Sequence, residues 1–160
     1  MNIELKSVEH YSEFELSELE RYSCVSVDDD LRRFFDDYSG ARFFPSGLQG
    51  DARGDVGISE FLAIAQILVE VQQFRFRPGY IPIALAEGGN YVVIDLVSKA
   101  VLFLDHEVED GYRKVAANVD DFVSRLIPNA EIQDDFSGIN VKSVWIDPAF
   151  LARIKSGEFK

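Results

Sequence analysis

Residues 80–107 read YIPIALAEGGNYVVIDLVSKAVLFLDHE. Within them, Tyr80–Ala86, Tyr91–Leu96 and Ala100–Asp105 are rich in β-branched and aromatic residues, the composition of strands. They are separated by Glu87-Gly88-Gly89-Asn90 and Val97-Ser98-Lys99. Glycine and asparagine supply positive φ in the first break, and the second is short enough for a hairpin. Neither is long enough for the crossover that parallel neighbours need. The stretch therefore predicts an antiparallel meander. With helical patterns on either side, the expected class is α+β, with helices covering one face of a mainly antiparallel sheet.

Upstream the period is helical. Leu31, Phe34, Phe35 and Tyr38 fall at i, i+3, i+4 and i+7 behind a cap at Ser26 or Asp28, and Gly40 ends that helix in a left-handed conformation. Ile58, Phe61, Leu62, Ala65, Leu68 and Val69 predict a second helix from Ile58, closed by Pro78-Gly79. Leu16, Leu19 and Phe14 suggest a short helical face near the start, and Ala41–Pro45 a short strand. The glycine-rich run GLQGDARGDVG at 47–57 lacks the Gly-Lys-Ser/Thr ending of a phosphate loop, so it reads as an irregular surface loop. Downstream, Asn118 caps a helix expected over Val119–Ile127, residues 129–142 look irregular, and Asp147-Pro148 opens a last helix near 148–156.

Composition bounds the function. The chain has 160 residues, 47 % hydrophobic, with 13 Phe. That is enough to bury a core without a disulfide or metal staple, and it suits one domain over 1–160. Sixteen Lys and Arg against 28 Asp and Glu leave a net charge of −12, which opposes direct nucleic-acid binding. Cys24 is the only cysteine, so no intrachain disulfide forms, and it reads as a small, partly buried apolar residue. The first residues lack a basic segment followed by an apolar core, and no apolar run approaches the roughly 20 residues of a spanning helix. A cytoplasmic protein with no membrane partner is expected.

The densest chemical cluster is Asp105-His106-Glu107-Val108-Glu109-Asp110, directly after a strand. In extended geometry Asp105 and Glu107 would point away from His106, which weakens a metal site. The competing enzyme reading, a metal-assisted hydrolase, would need Asp95, Asp105, His106 and Glu107 to converge on one ion. His10 has no partner at ligand spacing, and no serine sits in a nucleophile elbow. The expectation is no catalytic residue, no metal and no cofactor. Asp105, Glu107, Glu109 and Asp110 are the candidate protein-binding patch.

The motifs Ile81-Pro82-Ile83-Ala84, Gly88-Gly89-Asn90, Val93-Ile94-Asp95-Leu96 and Val101-Leu102-Phe103-Leu104-Asp105-His106-Glu107 resemble those of the SUKH superfamily of Smi/Knr-like proteins. Val115-Ala116 and a helix ending Phe122-Val123-Ser124-Arg125-Leu126 continue the likeness, and Asp30-Leu31-Arg32-Arg33-Phe34-Phe35 resembles the first core helix. The resemblance covers roughly 26–127, with 80–107 the distinctive part and 128–160 an extension outside it. Ala100, Asn118-Val119 and Ser39-Gly40 depart from the family's glycine, Ser-Phe and Asn-Gly. What the resemblance implies is a binding module rather than a catalyst. Bacterial members resemble immunity proteins that neutralise a cognate toxin, often a nuclease or deaminase, and fungal relatives regulate cell-wall glucan synthesis through protein partners. The expected function is an intracellular immunity protein with a toxin-domain partner, and the alternative is a regulatory scaffold of envelope synthesis.

Overall fold

A computed structural model describes residues 8–48 and 57–128. In chain order the elements are α1 (Glu13–Ser23), α2 (Asp29–Tyr38), β1 (Arg42–Leu48), β2 (Ile58–Phe61), α3 (Ile64–Gln73), β3 (Tyr80–Ala86), β4 (Tyr91–Asp95), β5 (Val101–Leu104), β6 (Tyr112–Ala116), α4 (Val119–Ser124) and β7 (Leu126–Pro128). The strands form one 7-stranded sheet in the order β6-β5-β4-β3-β2-β1-β7. Every neighbouring pair is antiparallel. The class is α+β, as the meander predicts.

Local chemistry sets the helix starts. Ser12 and Glu15 form a capping box on α1, the Ser12 N–H donating to Glu15 Oε2 at 2.7 Å and the Glu15 N–H to Ser12 Oγ at 3.2 Å. Leu16 and Leu19 of α1 are buried, but Phe14 is 73 % exposed. Phe14 lies about 200° around the helix from Leu16, so it misses the buried stripe. Asp28 caps α2 by accepting the Leu31 N–H at 3.0 Å. Gly40, at φ +67, turns the chain out of that helix.

Two expected helices are shorter than the sequence pattern suggests. Ile58–Phe61 is strand β2, bonded between β1 and β3, and the helix begins only at Ile64. A short apolar run satisfies strand and helix templates alike, and here sheet pairing decides. Leu68 is only partly buried and Val69 is exposed, while Ile64, Ile67 and Val71 face the core. Likewise α4 stops at Ser124, and Leu126–Pro128 pairs with β1 as β7. Strand β6 was not expected. Residues 129–142, the helix near 148–156 and most of the 47–57 loop lie outside the described residues.

The connection from β6 to β7 shapes the sheet. These strands occupy opposite edges, which in a flat sheet stand about 29 Å apart at roughly 4.8 Å per strand. Residues 117–125, with α4 among them, reach only about 25 Å. The sheet must curl. Phe122 of α4 is fully buried inside the curl, 6.3 Å from Phe61 between ring centres, and Phe61 stands 5.1 Å from Phe34 of α2.

Cover is not confined to one face, contrary to expectation. Val92, Val93 and Ile94 are consecutive and all buried, so both sides of β4 are packed. Ile94 shares a small cavity with Leu31 of α2 and Val119 of α4. On the alternate side, Tyr91 packs tilted against Phe74 and edge-on to Phe76 and donates its hydroxyl to Glu70 of α3 at 2.7 Å. Burial first, and the Glu70 carboxylate second, push the Tyr91 hydroxyl up to about 12.

Asp28 ties α2 to the β4–β5 turn, its carboxylate lying 2.7 Å from Lys99 Nζ. Lys99 holds the carboxyl below its usual range; burial opposes it as the second influence, and the Leu31 amide adds a smaller downward pull. A depressed folded pKa stabilises above the unfolded value and is lost as pH falls through the folded one. Asp28→Ala should lower the unfolding free energy by about 1 kcal/mol at neutral pH, mostly through the lost cap. The pair with Lys99 adds little because both side chains are well solvated. In denaturant titrations the difference from wild type should shrink below about pH 4.

Candidate functional site

The acidic cluster sits on a turn closed by its own backbone. Strand β5 ends at Leu104, so the alternation that would separate Asp105 and Glu107 from His106 stops there. The Asp105 N–H donates to Gly111 O at 3.1 Å, the Val108 N–H to Asp105 O at 3.3 Å and the Gly111 N–H to Val108 O at 3.0 Å. Asp105 Oδ1 accepts the Glu107 N–H at 3.1 Å, and Asp110 takes a positive φ of 61. A Cβ on Gly111 would stand 2.4 Å from Asp105 O and 2.9 Å from Val108 O. Only glycine closes this turn.

A second turn holds the first in place. Gly88 and Gly89 supply the positive φ values between β3 and β4, at 73 and 77. Asn90 does not share that role, since its φ is −80. Its side-chain oxygen instead accepts the His106 N–H at 3.1 Å and lies 2.8 Å from His106 Nδ1. The Gly-Gly-Asn and Asp-His-Glu motifs are thus two sides of one joint.

Beside the joint runs a groove of about 380 Å³ between residues 74–78 and the β5–β6 turn. Phe74, Phe76, Leu104, Val108 and Tyr112 give it apolar walls, and Asp105, His106, Asp110, Arg75 and Arg77 are its polar lining. Arg77 straps the two sides together. Its guanidinium pairs with Asp110, lies 4.5 Å from the Tyr112 ring centre, and its backbone N–H donates to the Tyr112 hydroxyl at 3.2 Å. Asp110 raises the Arg77 pKa further.

Of the four expected binding residues, Asp105 and Asp110 line the groove. Glu107 and Glu109 are exposed on the same turn and do not line it. The hydrolase constellation is not assembled. Asp95 sits at the far end of the β4–β5 hairpin from Asp105, His106 and Glu107. It accepts the Val97 N–H at 2.9 Å and the Ser98 hydroxyl at 2.6 Å. Burial raises its carboxyl, but those bonds and Lys99 outweigh it and hold the group below its usual range. No group of three or more His, Cys, Asp or Glu among the described residues is placed to hold a metal ion. His10 is exposed. Cys24 is exposed too, not partly buried, because it caps α1 in the left-handed conformation at φ 57.

Sequence reasoning missed Asn90, Tyr112 and the Phe74-Arg75-Phe76-Arg77 segment as site components. The alternation of aromatic and basic residues in that segment was the available signal. It places Phe76 inside and Arg75 and Arg77 outside.

A family model described as the SMI1 / KNR4 family (SUKH-1) matches residues 11–125, well over half of the chain and further upstream than the motifs alone reach. A search of curated proteins finds no match.

Two substitutions test the joint. Asn90→Ala should cost about 1–2 kcal/mol, the net value of its bonds to His106, and should speed hydrogen exchange at the His106 amide at least about tenfold. Gly111→Ala should cost about 1–3 kcal/mol by forcing the turn open. Denaturant unfolding and amide exchange measure both, and wild-type exchange at His106 in Asn90→Ala would show that this joint does not hold the turn.

Proposed function

Because the chain belongs to the SMI1/KNR4 family (SUKH-1), we propose that it is a non-catalytic immunity protein that neutralises a basic toxin domain in the cytoplasm. Family membership supports a protein-binding module. Among the described residues no helix is long and apolar enough to cross a membrane. The observation that carries the finer reading is the β5–β6 turn. It presents Asp105, Glu107, Glu109 and Asp110 on a backbone locked by Gly111, in a chain of net charge −12. Nucleases are often basic because they grip phosphates, so a surface of this sign complements them.

Charge of this kind acts first on encounter. Exposed acids steer an oppositely charged partner and raise its association rate more than its final affinity. A turn with fixed shape presents the same field at every encounter. The chemistry of the site is binding: its carboxylates accept hydrogen bonds and attract cations, and none is paired with a base or nucleophile in a catalytic arrangement.

The test starts from the genes beside this one and uses any toxin encoded there. Co-expression should protect cells from that toxin. Neutralising the four carboxylates together, Asp105→Asn, Glu107→Gln, Glu109→Gln and Asp110→Asn, should slow association about tenfold or more at low salt while the fold persists. An unchanged association rate rejects the patch. Failure to bind or neutralise any adjacent toxin rejects the immunity reading, and a gene neighbourhood of envelope synthesis without a toxin favours the regulatory role.

A further inference from the structure

The groove beside the β5–β6 turn already holds one guanidinium, that of Arg77, between the Tyr112 ring and the Asp110 carboxylate. Next to it the lining offers a further acceptor. Asp105 uses Oδ1 for the Glu107 N–H, and Oδ2 has no partner among the described residues. His106 Nδ1 faces the Asn90 side-chain oxygen, an acceptor, so Nδ1 donates and holds the ring against the joint. The walls beside these groups are apolar, with Phe76 and Leu104 buried and Val108 left 55 % exposed at the rim.

A carboxylate beside apolar and aromatic walls suits a side chain with a long apolar stem and a planar cationic head. The balance of charge selects the sign. Within the lining Arg77 is paired with Asp110 and Arg75 offsets Asp105, so the negative sign comes from the exposed Glu107 and Glu109 of the adjoining turn and from the chain's net charge of −12. A volume of about 380 Å³ lies at the lower end of the ~300–1,000 Å³ range of ligand pockets, room for one long side chain and its flanking backbone. We infer that this groove is the docking pocket for an arginine side chain of the partner polypeptide. The inference deepens the reading above, since it rests on the partner being a basic protein.

The pocket is tested without the partner. Uniformly ¹⁵N-labelled protein is titrated with N-acetyl-arginine amide, and with N-acetyl-norleucine amide and N-acetyl-glutamate amide as controls. The arginine compound should give saturable amide shifts confined to residues 76–77 and 105–112, with a dissociation constant of about 1–10 mM, the weak end for a single side chain. Asp105→Asn keeps the acceptor for the Glu107 N–H and should therefore fold, while weakening the arginine compound at least threefold. Equal shifts across the acidic helices 13–23 and 29–38 would overturn the pocket in favour of general charge attraction. So would equal binding of either control, or no saturable shift. The two readings fail separately: a flat titration with tight toxin binding removes the pocket alone, and a localised titration with no toxin binding removes the immunity reading alone.

Discussion

The connection through residues 117–125 is shorter than the flat sheet it would have to cross, and the fold follows from that shortage. With β6 and β7 at opposite edges, the sheet closes part-way on itself and α4 lies within the curl. Phe122 then fills the space that curling creates, against Phe61, and Phe61 in turn meets Phe34. A bundle of aromatic rings at 5–6 Å is the arrangement in which edge-to-face contacts add to area burial. With one side of β4 filled by α2 and α4, the other is left for α3 and the segment that leaves it. That segment runs to the β5–β6 turn, and the groove is the space between them.

The joint between the two turns explains why glycine, asparagine and histidine stand where they do. Gly88 and Gly89 are needed because two successive residues take positive φ, which other side chains adopt only with strain. Asn90 then returns to extended backbone and turns its side chain to His106. Without Gly111 the partner turn could not close, since a Cβ at that position would collide with two backbone carbonyls. Motif residues that look chemical in a sequence are here mechanical. They fix where the carboxylates stand and leave Glu107, Glu109 and Asp110 exposed.

How much of this was legible depends on where pairing overrides pattern. The meander of β3, β4 and β5 was readable because period, turn length and glycine placement agreed. The α2 stripe and its cap were readable for the same reason. Strand β2 was not, because Ile58, Phe61 and Leu62 match a helical face, and the strand state of Ile58–Phe61 depends on bonds to β1 and β3. Tyr112-Arg113-Lys114 carries no apolar alternation because β6 is an edge strand, partly exposed along its length. At the site, the acids were visible as charge, whereas the groove required the meeting of residues 74–78 with 105–112. No spacing rule encodes a contact between segments that far apart.

In the binding role proposed above, an acidic turn beside a part-apolar groove would divide binding into two physical stages. Exposed carboxylates act at a distance, fall off within a Debye length of about 8 Å at physiological salt, and mainly set how often a partner arrives in register. A groove acts only at contact, where burying an apolar stem and pairing its charged head out of bulk water governs how long the partner stays. The two stages respond to different changes. Raising salt weakens the first and leaves most of the second, while altering one carboxylate inside the groove does the reverse. Arg77 belongs to the second stage, because it braces both walls through Tyr112 and Asp110. Its loss would loosen the groove without removing a single acid from the turn, so partner residence time should shorten while the low-salt arrival rate holds.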